Sequence, residues 1–300
     1  MNQEGEVKYC NVSKDIFLKY IEHNYNFIKE KLPLLESLDP DAIHDIRVTS
    51  RRNRALFAEY KHFLSKEIRK EYINENKKIT KLLGKRRELD VLYQLITSIK
   101  QNTPKVLSNY TFDYLLTYID KKQKKEINNC LIAKQILEER INKFTLNFPM
   151  SSPISWCIYR YGMEKINLAL NNINDEYRCI KKIYNPLSEK IHRFRIIIKK
   201  IRYMFEVYKE IYENPLNTWL NILKEIQNYL GTWNDYRILL ITIKKHKKKN
   251  VKFDELQKHI YAILNKNLKQ AKRTVEENIN SDLIKATIID INKICKLHTC

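Results

Sequence analysis

Two stretches of this chain, 148 residues apart, carry the same order of charge. Ile43-His44-Asp45-Ile46-Arg47-Val48-Thr49-Ser50-Arg51-Arg52-Asn53-Arg54 lies over Ile191-His192-Arg193-Phe194-Arg195-Ile196-Ile197-Ile198-Lys199-Lys200-Ile201-Arg202. Histidine falls on histidine. Arg47, Arg51, Arg52 and Arg54 fall on Arg195, Lys199, Lys200 and Arg202. A second pair, Leu83-Gly84-Lys85-Arg86-Arg87-Glu88 and Leu230-Gly231-Thr232-Trp233-Asn234-Asp235, aligns at an offset of 147. Lys77 then meets Lys224, and Lys122 and Lys125 meet Lys269 and Lys272. Blocks that agree within one residue point to an internal duplication. The fold must therefore be one that half the chain can build, and build twice.

The repeated unit reads as helical. Only four glycines occur in 300 residues, too few for the turns of a large β-sandwich or barrel, or for a Rossmann fingerprint with its other loops. Apolar residues recur at three and four, as in Ile16, Tyr20, His23 and Phe27, or Leu216, Leu220, Leu223, Ile226 and Leu230. Five oxygen-bearing or amide residues precede proline: Asp39-Pro40, Thr103-Pro104, Ser152-Pro153, Asn185-Pro186 and Asn214-Pro215. Each reads as a helix start, because the cap side chain accepts an orphan N–H and proline at the first position loses no bond. The pattern predicts helices near 13–35, 40–64, 66–98, 105–145, 155–182, 186–212, 215–246, 252–280 and 283–296. The fold class is all-α. The breaker cluster Phe148-Pro149-Met150-Ser151-Ser152-Pro153 divides repeat 1 (13–148) from repeat 2 (153–298), after an N-terminal extension over 1–12.

His44, Arg47, Arg51 and Arg54 step by three, four and three, so they share one helix face; His192, Arg195, Lys199 and Arg202 do the same. The opposite faces are apolar: Ile46, Leu56, Phe57 and Tyr60, then Phe194, Ile197, Ile198, Ile201 and Phe205. A solvated basic face is the ordinary alternative. Like charges at this spacing cost roughly 0.2–0.5 kcal/mol per pair, with few acids inside the stripe to offset them. Arginine dominates the first stripe although lysine abounds elsewhere, and its fork grips phosphate through two hydrogen bonds. The chain has 56 Lys+Arg against 35 Asp+Glu, a formal charge of +21, which favours a polyanionic partner. Arg47, Arg51, Arg54, Arg195, Lys199 and Arg202 are the expected primary contacts. Arg52, Lys200, Lys77, Lys224, Lys122, Lys125, Lys269 and Lys272 extend the track.

His44 and His192 open the stripes and belong to the same surface. Glu88, Asp90 and Asp235 follow the glycines and read as fixers of neighbouring cations rather than as general bases. Gly84 and Gly231 lie inside helical pattern, which suggests close approach of a helix or ligand, or a kink. Six scattered cysteines lack any CxxC, so no metal or redox spacing is present and reduced thiols are expected. The start, Met1-Asn2-Gln3-Glu4-Gly5-Glu6, is polar and acidic, not a signal peptide, and no apolar run is long enough for a membrane span. A cytoplasmic protein without membrane insertion is expected.

His44-Asp45-Ile46-Arg47-Val48 with Arg51-Arg52-x-Arg54, then Leu83-Gly84-x-x-Arg87-Glu88-Leu89-Asp90-Val91-Leu92, resembles the first half of a CHAD domain (conserved histidine α-helical domain). His192-x-x-Arg195-x-x-x-Lys199-Lys200-x-Arg202-Tyr203-x-x-Glu206, then Gln227-x-x-Leu230-Gly231-x-x-Asn234-Asp235, resembles its second half. The resemblance covers about residues 10–295. Glu88 stands where the family usually has Asp, and lysine replaces arginine at many surface places.

The resemblance implies a single CHAD domain over 13–298: two four-helix bundles about a pseudo-twofold axis with a basic groove or pore between them. It also implies binding of inorganic polyphosphate, often at cytoplasmic polyphosphate granules, without catalysis, cofactor or metal. The runner-up is a nucleic-acid-binding helical protein, with nucleic acid otherwise a weaker partner. A metal-dependent polyphosphate-processing enzyme comes third, for want of a P-loop, HxxxH or DxD pattern beside the stripes. Glu4-x-Glu6-x-Lys8 spells the ExExK motif of triphosphate tunnel enzymes, but helical pattern follows where their barrel would need strands.

Overall fold

Asp39 shows the helix-start logic at work. Its Oδ1 accepts from the Ala42 backbone N–H at 2.7 Å, and Pro40 follows at the first helical position. In the computed structural model the described residues are 3–103, 108–144, 158–212, 214–245 and 253–297, with side chains described from Lys14 onward. Among them there is no strand. Ten α-helices follow in order: α1 (Gln3–Lys31), α2 (Pro40–Glu59), α3 (Lys66–Asn102), α4 (Asn109–Lys124), α5 (Ile127–Lys143), α6 (Ile158–Lys181), α7 (Glu189–Tyr212), α8 (Asn214–Lys245), α9 (Asp254–Asn278) and α10 (Ser281–Leu297). A 3₁₀ turn at Pro33–Leu35 joins α1 to α2. The ExExK match falls inside α1, not on a barrel strand.

Several boundaries differ from the expected ones. The single helix expected over 105–145 is two, α4 and α5. The Gln123 carbonyl, which a continuous helix would offer to Ile127, instead accepts from Glu126 N–H at 3.0 Å and lies 3.5 Å from Arg86 Nη1. A guanidinium from α3 therefore stands at the break, a neighbour that no local pattern reveals. Pro104 of the Thr103-Pro104 pair lies outside the described residues; just before α4 the Ser108 hydroxyl accepts from Thr111 N–H. Asn185-Pro186 forms a turn in which Asn185 accepts from Leu187 N–H, and Ser188 stands before α7. Asn214-Pro215 does open α8. Ser152-Pro153 and the breaker cluster lie outside the described residues.

The described residues gather into two compact units that do not follow the sequence halves. One holds residues up to Asp90 with those between Lys122 and Gly162; the other holds Val91–Lys121 and those from Met163 onward. Each is described by itself.

In the first unit α2 and α3 run antiparallel. Pro40 meets Arg87, Arg47 lies by Gly84, Asn53 meets Asn76, and Phe57 stacks on Tyr72 with ring centroids 4.5 Å apart. The core carries a buried amide ladder: Asn24 Nδ2 donates to Asn53 Oδ1 at 2.7 Å, and Asn53 Nδ2 reaches Asn76 Oδ1 at 3.5 Å. Asn76 Nδ2 ends it on the Tyr72 carbonyl at 2.9 Å. This ladder overturns the expected α1 stripe. His23 is exposed, and the buried face is Phe17, Ile21, Asn24, Tyr25 and Ile28, because Asn24 is inside for its partner rather than its hydropathy. Arg140 on α5 ties the unit to α3, with Nη2 at 2.6 Å from both Glu71 and Glu75 and its guanidinium 4.3 Å from the Tyr72 ring centre.

The second unit is drier. Leu216, Trp219, Leu223, Ile226, Leu230 and Trp233 of α8 are fully buried. Trp219 Nε1 donates to Thr287 Oγ1 at 2.8 Å, and Trp233 Nε1 to the Pro186 carbonyl at 2.7 Å, so both indoles keep a partner. The apolar faces expected opposite the basic stripes are buried, except that Ile197 is half-buried.

Asn53→Ala strands the Asn24 amide and the Asn76 carbonyl oxygen in the core. It should lower stability by about 2–3 kcal/mol in urea unfolding, with helix content retained by circular dichroism.

Candidate functional site

Helix α2 sets its charges by period alone. Its apolar residues face inward, so His44, Arg47, Arg51 and Arg54 must share the outer side. On α3, Gly84 lies under Arg47: a Cβ there would sit 3.8 Å from Arg47 Nη2, an ordinary contact. A Cβ at Gly231 would meet no described atom within 4 Å. Protein crowding therefore demands neither glycine. Neither has a positive φ, so neither serves as a left-handed turn.

Arg87, three residues past Gly84, donates from Nη1 to the Pro40 carbonyl at 3.2 Å. This brings a fifth basic side chain to the start of the α2 stripe. His44 registers the crowd: burial first, then Arg87, Arg47 and Arg51, hold its pKa below the usual histidine value, with Asp45 opposing. Asp45 itself lies 3.3 Å from Lys31 Nζ.

Arg51 and Arg54 are the most exacting pair. Both are half-buried. Among the described residues neither makes a hydrogen bond or an ion pair, and Arg54 Nε is buried without a partner. Burial, then the charge of Arg51, lowers the Arg54 pKa. A desolvated cation beside another cation is costly unless an anion joins them.

The α7 stripe is built alike but neutralised more. Burial, then Arg237 and Arg195, lower the His192 pKa, while Glu189 and a hydrogen bond with Asn234 push it up. Arg237 Nη2 pairs with Glu189. Arg202 Nη2 lies 3.3 Å from Glu206 Oε1, and its guanidinium stands 5.1 Å from the Tyr203 ring centre.

Asp90 and Glu88 hold neighbours. Asp90 is buried, and its Oδ1 accepts from Arg86 Nε at 2.8 Å and Gln123 Nε2 at 2.7 Å. Glu88 pairs with Lys85. Asp235 is half-buried on α8 beside Asn234. Among the described residues no three His, Cys, Asp or Glu side chains gather as a metal-holding group.

The expected track lysines scatter in role. Lys77, Lys125, Lys200, Lys224 and Lys269 are exposed; Arg52 and Lys122 are half-buried. Lys272 is engaged elsewhere: its Nζ donates to the Lys181 and Ile183 carbonyls at 2.9 and 2.8 Å, closing the end of α6. Arg87, Asn234 and Arg237 were not expected in the site. Arg87 and Asn234 sit at matching places three residues after the aligned glycines, which is the signal that could have placed them.

The family model described as the CHAD domain matches residues 20–244, three quarters of the chain. Two solved structures are similar in fold. PptA from Streptomyces chartreusis is 11% identical with a TM-score of 0.54, over 94% of this chain and 99% of its own. The CHAD domain from the plant Ricinus communis is 14% identical with a TM-score of 0.55, over 92% of this chain and 91% of its own. No curated protein matches the chain.

His44 and His192 take up protons at lower pH in the folded state than the ordinary value near 6.5. The unfolded chain then binds more protons, so stability rises with pH up to about 6.5 and is lost on acidification below it. Thermal midpoints of the free protein against pH should show this slope, and the double variant His44→Asn/His192→Asn should flatten it.

Proposed function

Because the chain belongs to the CHAD domain family, we propose that it binds inorganic polyphosphate through the basic faces of α2 and α7, without catalysis. The observation that carries this reading is the pair Arg51 and Arg54, half-buried, mutually repelling and without an acid partner among the described residues. A chain of phosphates supplies the missing charge at every step along the helix. Affinity then comes from counterion release, as arginines replace the cations condensed on the polyanion. Both stripes acting on one long polyphosphate chain is part of the proposal.

Polyphosphate has no bases to stack. Tyr60, Tyr203 and Tyr208, the tyrosines nearest the stripes in sequence, are buried, which favours polyphosphate over single-stranded nucleic acid. Glu88 and Asp90 hold Lys85 and Arg86, which favours binding over acid–base chemistry. The reading puts the protein in the cytoplasm, at polyphosphate granules. Among the described residues no helix is long and apolar enough to cross a membrane.

Titration with polyphosphate of several lengths at two salt concentrations tests the proposal. Binding should weaken steeply with salt, and Arg47→Glu/Arg51→Glu/Arg195→Glu/Lys199→Glu should lose at least roughly 100-fold in affinity. Unchanged affinity in that variant means the stripes are not the site. Long polyphosphate should displace bound DNA or RNA at equal phosphate concentration; tighter nucleic-acid binding at physiological salt would favour the other reading. Incubation with polyphosphate and Mg²⁺ or Mn²⁺ should release no phosphate. Metal-dependent turnover abolished by Asp235→Asn would overturn the binding-only reading.

Arg54→Met should act in opposite directions on two measurements. It removes an uncompensated cation, so the free protein should gain stability, by about 1 kcal/mol in urea unfolding. The same change should weaken polyphosphate binding.

A further inference from the structure

The two stripes match in sequence but not in charge balance. Arg54 and Arg202 occupy equivalent places on α2 and α7. Four residues beyond Arg202 stands Glu206, its oxygen 3.3 Å from the guanidinium; four residues beyond Arg54 stands Ala58, exposed and without charge. The Arg202 and Glu206 side chains are 13% and 18% exposed, so water screens the pair little. At the stripe openings the contrast repeats. Arg87 gives its bond to a neutral carbonyl, whereas Arg237 is paired with Glu189. Along α2 an incoming anion finds Arg51 and Arg54 with no ion pair to break among the described residues. Along α7 it must displace or repel a carboxylate.

We propose that the two stripes are unequal phosphate sites: the α2 stripe, centred on Arg51 and Arg54, is the high-affinity one, and Glu206 keeps the α7 stripe weak. This rests on the polyphosphate reading and adds an order of filling to it. A short polyphosphate occupies the α2 stripe alone at low concentration. Only a higher concentration, or the high local concentration of a long chain already held elsewhere, recruits the α7 stripe. The lowered pKa of Arg54 agrees with a cation waiting for a counter-charge.

The test uses the full chain, tripolyphosphate as the probe, and the imidazole NMR signals of His44 and His192 as reporters of their own stripes. The His44 signal should move first, at a tripolyphosphate concentration roughly ten-fold lower than that for His192. Changing the residue four places beyond the last arginine of each stripe should narrow or reverse the order. Ala58→Glu should weaken the His44 response roughly ten-fold, and Glu206→Gln should strengthen the His192 response by a similar factor, as expected for one charge a few ångströms from the ligand. Coincident responses, His192 moving first, or no effect of either substitution in a variant with native circular dichroism would overturn the unequal-site inference while leaving polyphosphate binding intact. If neither histidine responds to tripolyphosphate and the native chain fails to bind long polyphosphate, the polyphosphate reading falls and this inference with it.

Discussion

A helix that holds four basic side chains on one side must be pinned by the other. On α2 the like-charge steps cost roughly 0.2–0.5 kcal/mol per pair, more where water is excluded. Against that, Ile43, Ile46, Leu56 and Phe57 are fully buried, each contributing about 1.5–3 kcal/mol. The apolar face wins by several-fold, so the helix forms and its charges are held where they repel. Everything at the candidate site follows from that imbalance. The arginines cannot relax by turning the helix, since turning it would expose the core. They are presented as a fixed row.

The rest of the first unit serves to hold this row still. The ladder Asn24–Asn53–Asn76 joins α1, α2 and α3 through amide groups, and such a network tolerates only one register. Arg87 fixes the start of α2 by its carbonyl, and Arg86, anchored on Asp90, reaches the turn where α4 gives way to α5. The second unit reaches a similar end with different chemistry. Trp219 and Trp233 fill the α8 face, each satisfied by one hydrogen bond, where the first unit uses amides.

Much of this was legible in the residues. The three-and-four spacing placed the apolar backs of α2 and α7, which are buried apart from the half-buried Ile197. Asp39-Pro40 and Asn214-Pro215 open helices as expected. The paired motifs named the family before any fold was known. What escaped was what depends on a distant partner. The α1 stripe was misplaced because a polar Asn24 marked the buried face. The long helix expected over 105–145 is two, with a guanidinium from α3 at the break. Asn185-Pro186 kept its oxygen for a turn. Lys272, aligned with a lysine of the first half, closes a helix end rather than extending the basic track.

Periodicity by itself determined the helical class and the two basic faces, because these depend only on which residues recur along one helix; the paired motifs carried the family. Beyond the pair Arg202–Glu206, which lies four residues apart on α7, tertiary structure decided which cations have a counter-charge. Glu189 of α7 reaches Arg237 of α8, while Arg51 and Arg54 meet no acid among the described residues. It also decided where the compact units part, inside α3, α4 and α6 rather than at the midpoint of the chain. The reason is the same in each case. Charge compensation and packing are set by distance in space, and a spacing of three or four residues reports only the neighbours within one helix.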